Sequence, residues 1–461
     1  MKMQVQPIFV ITNKVKQQKR LFTGYIRRNV IFLILFACVV LYYFPKKQNE
    51  SDGIVDSSTL SDDQIVNADD YLDHLYKVEE YYAARNNLKM PVIGSILYQN
   101  LKPPMGREKN YTILIWKEGA FLEARHIYSF TETRAEPFSR CSVNNCELTY
   151  NDEEVTDADA IVFLLQRLNG LQDLPDFNAT RPPGQRWVFL TDECPRHTFR
   201  ASINNWKQFD GIFNWSMTYR MDSDVPVPYG RTTPLKLPLD LPAYLNFTET
   251  FNLLVPNGAI KRRDVLVAVM MSNCNPSNER LQYVKQLQNY MTVDIYGACG
   301  TEFKAVCPKQ GTGKNSRYGG HCPQLDRYAF YLSFENANCK QYISEKPFYN
   351  AYRTGAVPII MGPPEEDCRI QLPPKSYIHV KEFSNPQNLS EHLLFLNSTW
   401  EDNYMSLHYW RKNFEVKNEH GLFGAPSVHY CRVCEALNYN SEESKVYDDL
   451  SYFLDPKINC N

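Results

Sequence analysis

Residues 264–297 read DVLVAVMMSNCNPSNERLQYVKQLQNYMTVDIYG, and the order of patterns inside this stretch decides the fold class. DVLVAVMMS is a nearly unbroken apolar run, which suits a strand buried on both faces. SNERLQYVKQLQNY then sets Leu281, Val284, Leu287 or Gln288, and Met291 on one stripe at helical spacing. TVDIYG is the next apolar run. Strand, helix and strand in that order predict a right-handed crossover and a parallel sheet. Upstream, YTILIW (Tyr111–Trp116), ADAIVFLL (Ala158–Leu165) and RWVFLT (Arg186–Thr191) are short apolar runs of the same kind. Turn residues and a basic cluster in LLVPNGAIKRR (Leu253–Arg263) separate the two halves. The expected architecture is therefore two facing α/β domains with a cleft between them.

The chain has 461 residues, room for two or three domains and a sizeable core. Its 50 basic and 52 acidic residues nearly cancel, so no global field points to nucleic acid as a partner. VIFLILFACVVLYYF, Val30–Phe44, is uninterrupted and bounded by Arg27–Arg28 and Lys46–Lys47. At about 1.5 Å per residue it spans roughly 22 Å, enough for a thin membrane. A long leader and the lack of a small-residue cleavage site argue against a cleaved signal. Lys14, Lys16, Lys19, Arg20, Arg27 and Arg28 precede the run and only Lys46 and Lys47 follow closely, which keeps the N-terminus cytosolic. The expectation is a single-pass type II protein with a cytosolic tail at 1–29, an anchor at 30–45 and a polar stem with one short helix at 46–107. Twelve of the 13 cysteines, all except Cys38, then face an oxidising lumen. Sequons at Asn110, Asn178, Asn214, Asn246, Asn388 and Asn397 lie on the same side, while Asn49 sits too close to the bilayer.

In YLSFENANCKQYISEKPFYNAYRTGAVPIIMG, Tyr331–Gly362, a polar loop and short helix lie between two apolar runs. In open α/β sheets the carboxyl edge of the strands is where ligands bind. Ser344 is the expected N-cap, with Glu345, Lys346 and Pro347 in the first turn and Gly355 as the left-handed stop. Free backbone N–H groups and Lys346 favour an anion there, and Glu345 can accept hydrogen bonds from sugar hydroxyls. An ordinary first-turn ion pair would have the same sequence. A second loop, SNCNPSNER, carries Ser272, Asn273 and Arg280 at another strand-to-helix edge, and Arg offers a planar fork for phosphate oxygens.

FENANCKQYISEK…GAVPIIMG, SNCNPSNERLQYVKQL, VDIYGACG, RPPGQRWVFLTDECP and FNWSMTYRMDSDVPVPYG together resemble the Golgi α-1,3-fucosyltransferase family, in family order from about Asn110 to Cys434. The resemblance implies a GT-B architecture of two Rossmann-like domains, an acceptor-side domain at 108–252 and a GDP-fucose domain at 253–435, followed by a C-terminal tail at 436–461. By position it implies donor contacts at Ser272, Asn273 and Arg280, and at Tyr331, Asn336, Tyr342, Glu345 and Lys346. Arg280 and Lys346 would hold the diphosphate and Glu345 the ribose. Glu193, in TDECP, matches the family's proposed base, with Asp192 as the neighbour that could be mistaken for it.

Asp222-Ser223-Asp224 has the form of a Mn²⁺-binding pair, but it enters the Pro-rich VPVPYG rather than a nucleotide-binding unit. The family carries this DSD without using it for metal, so no cofactor is expected. Cys431 and Cys434 form a lone C-x-x-C, a poor zinc site. The resemblance ties that pair to first-domain cysteines, here Cys141 and Cys146. Cys274 and Cys339 are candidates to staple the donor loops, and Cys299, Cys307 and Cys322 are close enough for local bridging. Connectivity stays open at this level. Three positions depart from the family: Leu164-Leu165 continue where a His usually follows, Glu193-Cys194-Pro195 replaces ESP, and Pro347 replaces an apolar residue.

The expected activity is inverting transfer of L-fucose from GDP-fucose to a GlcNAc hydroxyl of a glycoprotein or glycolipid glycan, in an α-1,3 linkage, at the Golgi membrane. The alternatives are protein O-fucosylation by a member of the same family and a non-catalytic luminal protein that binds glycan or nucleotide sugar.

Overall fold

The computed structural model describes residues 68–127, 136–176, 181–199, 206–300, 321–423 and 425–461. The expected anchor, Asn49, Asn178 and Cys307 lie outside them. Among the described residues, no helix is long and apolar enough to cross a membrane.

The first half supplies β1 (Tyr111–Ile115), β2 (Cys146–Thr149), β3 (Ala160–Leu164), β4 (Arg186–Thr191), β5 (Trp215–Thr218) and β6 (Val225–Pro226). They form one sheet in the order β2-β1-β3-β4-β5-β6, with every pair parallel. The apolar runs are buried on both faces. Ile113, Val162 and Val188 enter one core, while Leu114, Phe163 and Phe189 enter another on the opposite side. Strand side chains alternate between faces, so continuous apolarity is what a doubly covered sheet requires.

Next come β7 (Gly230–Pro234), β8 (Val267–Met270), β9 (Val293–Tyr296), β10 (Phe330–Phe334), β11 (Val357–Met361), β12 (Ile378–His379) and β13 (Phe414–Asn418). The second sheet runs β12-β11-β10-β8-β9, again all parallel. The helix joining β8 to β9 spans Arg280–Leu287, with Val284 and Leu287 in the core. After β8 the chain steps to β9 on one side, then returns to β10 on the other. The loops after β8 and β10 therefore flank a topological switch point, where open α/β sheets form a crevice.

Two segments join the folded body against expectation. Residues 68–99, within the expected stem, contain helices Ala68–Ala83 and Val92–Tyr98 and bury Tyr81, Arg85, Ile93 and Tyr98. The Tyr81 hydroxyl donates to the Thr232 carbonyl at 2.8 Å, so this segment is anchored rather than a free tether. The C-terminal residues are not a loose tail. Helix His429–Tyr439 is buried along its whole length and packs on one face of the first sheet. Leu450, Phe453 and Leu454 cover the other face. Weak local patterning hid both segments, because their apolar residues are matched to distant partners.

The cysteines follow this return of the chain. Cys141 bonds Cys431 and Cys146 bonds Cys434, clamping the last helix to the first lobe. Cys274 and Cys339 are not bonded to each other: Cys274 pairs with Cys299 and Cys339 with Cys460. The β8 and β9 ends adjoin, which favours the first pairing, and the C-terminus lies against the β10 loop, which favours the second. Cys322 is also disulfide-bonded, whereas Cys194 and Cys368 are buried free thiols.

An antiparallel pair, β7 with β13, links the region after the first sheet to the region before the last helix. Arg231 on β7 grips Glu419 with two hydrogen bonds, 2.8 and 3.1 Å, and Arg432 approaches the same carboxylate at 3.6 Å. Burial opposes ionisation of Glu419, but Arg231 and Arg432 win and hold its pKa at about 2, down from 4.5. A depressed carboxylate contributes stability above its unfolded pKa and loses it as pH falls through the folded value. The shift corresponds to about 3 kcal/mol, lost between about pH 4.5 and 2. Urea unfolding across that range should show Glu419→Gln less stable at neutral pH and with a flatter acid decline. Equal slopes in both proteins would refute this role.

Candidate active site

Glu193 follows β4 on the first lobe and reaches the loop after β10 on the second. Its Oε2 accepts a hydrogen bond from the Tyr342 hydroxyl at 3.0 Å, and the Asn336 amide lies 3.5 Å away. Asp192 points elsewhere. It is 2% exposed, pairs with Arg125, and has its Oδ1 3.4 Å from the Nε2 atoms of both His420 and His429. Despite the opposing effect of burial, Arg125 holds the Asp192 carboxyl well below its ordinary range. Two adjacent carboxylates thus have different tasks: Asp192 is part of the framework and Glu193 faces the other lobe.

On the second lobe, Lys346 begins a π-helix, Lys346–Tyr352, with Pro347 in its first turn. Helices of this type are rare and recur at functional sites. Gly355 ends the turn that follows with φ +79°; a Cβ there would lie 1.9 Å from the Pro256 carbonyl oxygen. Ser344 does not cap the helix. Its N–H and hydroxyl each donate to Glu335 at 2.8 Å, and Glu345 occupies the cap position. Glu335, at the end of β10, is the residue that the sequence reading missed. It is buried, and the Lys346 ammonium lies 2.7 Å from its Oε2, 2.6 Å from the Ser344 hydroxyl and 3.6 Å from Glu345. Burial works against the Lys346 charge, yet Glu335 raises its pKa above the ordinary value. The only sequence signal for Glu335 was an acid directly after a mostly apolar strand, FYLSF.

Arg280 opens the helix after β8 and is 4% exposed. It donates to the Phe334 carbonyl at 2.6 Å and to the Asn273 carbonyl at 3.1 Å, binding the two switch-point loops together. Ser272 and Asn273 are exposed beside it. Gly297 follows β9 with φ +89° and lets the chain pass against Ser272. Tyr331 is set apart from this group. Its hydroxyl lies within the second lobe, accepting from the Asn350 amide at 3.0 Å, and burial pushes its pKa up to about 12. The fold therefore joins Glu193, Asn336 and Tyr342 directly, and sets Glu345 and Lys346 on the same loop. A surface cavity of about 680 Å³, lined by Phe251, Lys261 and Trp400 among others, lies elsewhere on the second lobe. The lobes touch at Glu193 through Tyr342.

The DSD segment is saturated by the protein. Arg220 grips Asp222 with bonds of 2.8 and 2.7 Å, and Asp224 accepts from Tyr447 at 2.6 Å and from the Ser216 N–H at 2.9 Å. Asn214 is fully buried. Its Oδ1 accepts from the Trp187 N–H at 2.8 Å and its amide donates to the Lys445 carbonyl at 2.6 Å, so this sequon cannot carry a glycan in the folded chain. Asn110, Asn246 and Asn388 are exposed and Asn397 is half-buried.

Residues 260–453 match the family described as glycosyltransferase family 10 (fucosyltransferase) C-term, and residues 108–230 match fucosyltransferase, N-terminal. Mouse alpha-(1,3)-fucosyltransferase 7 is 32% identical over 74% of this chain and 75% of its own length. The chain belongs to the α-1,3-fucosyltransferase family. The fucosyltransferase is also 35% identical to the Drosophila melanogaster glycoprotein 3-alpha-L-fucosyltransferase A, over 68% of this chain and 55% of that protein. A solved α1,3-fucosyltransferase with GDP-fucose aligns with a TM-score of 0.42 at 18% identity, covering 82% of this chain and 99% of that one. Within this fucosyltransferase, Leu165 and Cys194, two of the departures from the family pattern, are both fully buried. Leu165 fills the core of the first lobe, whereas Cys194 packs in a cluster with Cys339, Tyr342 and Ile343 of the second.

Proposed function

We propose that this enzyme transfers L-fucose from GDP-fucose to a GlcNAc hydroxyl of a glycoprotein or glycolipid glycan, with inversion and in an α-1,3 linkage. The observation that carries the reading is the contact across the lobes. A carboxylate of the first lobe, Glu193, meets Tyr342 and Asn336 of the loop that also bears Glu345 and Lys346. Two facing parallel-sheet lobes with the switch point at this contact support a GT-B arrangement.

In this mechanism Glu193 accepts the proton of the attacking hydroxyl as the C–O bond to fucose forms, and GDP departs from the opposite face with the electron pair of the broken bond. Fixed positive groups beside the diphosphate lower the barrier by stabilising the charge that develops there. Lys346 already serves Glu335 and Ser344, so its third N–H is the one free to meet phosphate once Glu345 turns toward the ribose. Arg280 holds the two donor loops in register and presents its remaining N–H groups from beneath them. Donor entry separates Tyr342 from Glu193 and hands the carboxylate to the acceptor. No metal is assigned to the DSD segment, because its carboxylates are consumed by Arg220, Ser216 and Tyr447. The apolar run at 30–44 and the cysteines downstream support a type II Golgi protein with a luminal body.

The deciding experiment measures GDP release from GDP-fucose against defined acceptors: an N-glycan with a free innermost GlcNAc, an antennary lactosamine and an unglycosylated folded protein. Turnover with either glycan is expected. Turnover with the protein alone would point to O-fucosylation, and donor binding without turnover on any acceptor would make the chain a binding protein.

A further inference from the structure

We propose that His126, Asp192, His420 and His429 form a buried structural site for a divalent metal of the zinc class, behind the loop that carries Glu193. The four side chains come from distant parts of the sequence and are 1%, 2%, 2% and 0% exposed. His126, Asp192 and His429 each offer one ligand atom, all within 4.8 Å of one another. The Nε2 atoms of His420 and His429 both lie 3.4 Å from Asp192 Oδ1. That spacing is long for a hydrogen bond, which favours 2.7–3.2 Å. It matches the edge of a tetrahedron, about 3.3 Å for metal–ligand bonds of about 2.0–2.1 Å.

The surroundings have the form of an outer shell. His429 Nδ1 meets the Ser427 hydroxyl at 2.9 Å, and when that hydroxyl accepts from Nδ1–H the Nε2 atom is left as a lone-pair donor. Arg125 takes the other oxygen of Asp192, orienting Oδ1 inward. Neither ring nitrogen of His126 makes a hydrogen bond, and His420 has only the long 3.4 Å approach of its Nε2 to Asp192. A buried polar group without a partner is destabilising, and coordination removes that cost. Arg125 and Asp192 cancel in charge, so a dication would leave two net positive charges, as in a three-histidine zinc centre. The His126 and His429 rings are stacked at 3.9 Å, so capture requires the His126 ring to turn toward the shared point. With His420 turned in as the fourth ligand no open position is left, which makes the site structural rather than catalytic. Because Asp192 directly precedes Glu193, an ion here would fix the backbone from which the base projects. The inference does not depend on the transfer reaction.

The test is metal analysis of the purified full-length chain after removal of loosely held ions. About one zinc per chain is expected, together with a tetrahedral cobalt(II) spectrum when cobalt replaces zinc, and a thermal midpoint lowered by a strong chelator. Ser427→Ala should weaken zinc affinity about 10–100-fold through the outer shell. His126→Asn combined with His429→Gln should abolish binding. If that double variant does not fold, X-ray absorption on the zinc-loaded wild type reads the ligands directly: imidazole with one carboxylate oxygen supports the site, and sulfur or all-oxygen ligation overturns it. Wild-type protein that binds neither zinc nor cobalt overturns it too, as does zinc retained by a folded double variant.

Discussion

Glu193→Gln should lower kcat by about 10²–10⁴-fold while leaving GDP-fucose binding within the same range as wild type. The amide keeps the size of the carboxylate and can still accept from Tyr342, so the contact between the lobes survives and only proton acceptance is lost. Steady-state transfer and direct donor titration measure the two parts separately. The neighbouring change, Asp192→Asn, should behave differently. Asp192 neutralises Arg125 in the interior, and breaking a buried pair of this kind costs about 3–5 kcal/mol. Its main effect should appear in unfolding measurements rather than as a selective loss of kcat. If Glu193→Gln turned over like wild type, the proton acceptor would have to be another group, and the proposed mechanism would fail.

Lys346→Met should also destabilise the fold by about 3–5 kcal/mol, because it leaves the Glu335 carboxylate, 2% exposed, with no cation. The informative protein is the double variant Glu335→Gln with Lys346→Met. Removing both charges eliminates the uncompensated one, so most of the lost stability should return. Donor affinity should stay low, since the proposed phosphate contact is still missing. Denaturant unfolding combined with GDP titration separates the two effects. Recovery of GDP binding along with stability would show that Lys346 serves only the fold. A double variant no more stable than the single would show that the Glu335 pair is not what holds the loop.

The strands were legible in the sequence because their signal is local. RWVFLT was expected at Arg186–Thr191 and is β4 over those residues. The expected run at Tyr111–Trp116 ends one residue earlier, at Ile115. The polar loops after β8 and β10 were also visible, since residues such as Ser272, Arg280 and Lys346 are unusual at the ends of apolar strands. What stayed hidden depends on partners far away in the chain. Nothing near Asn214 reveals that Trp187 and Lys445 enclose it. The local spacing around Cys339 does not disclose a partner 121 residues away at Cys460.

The sequence by itself determined the parallel α/β character of both halves, the polar loops after β8 and β10 and the family, because apolar runs, turn residues and linked motifs are all read along the chain. Tertiary structure decided the rest. It set Glu193 and Asp192 in different surroundings, tied Lys346 to Glu335, folded residues 68–99 into the body and wrapped the C-terminus over the first sheet. Each of these outcomes depends on which charges and apolar surfaces meet across long separations in sequence. In the interior, a charge without its partner is too costly to persist.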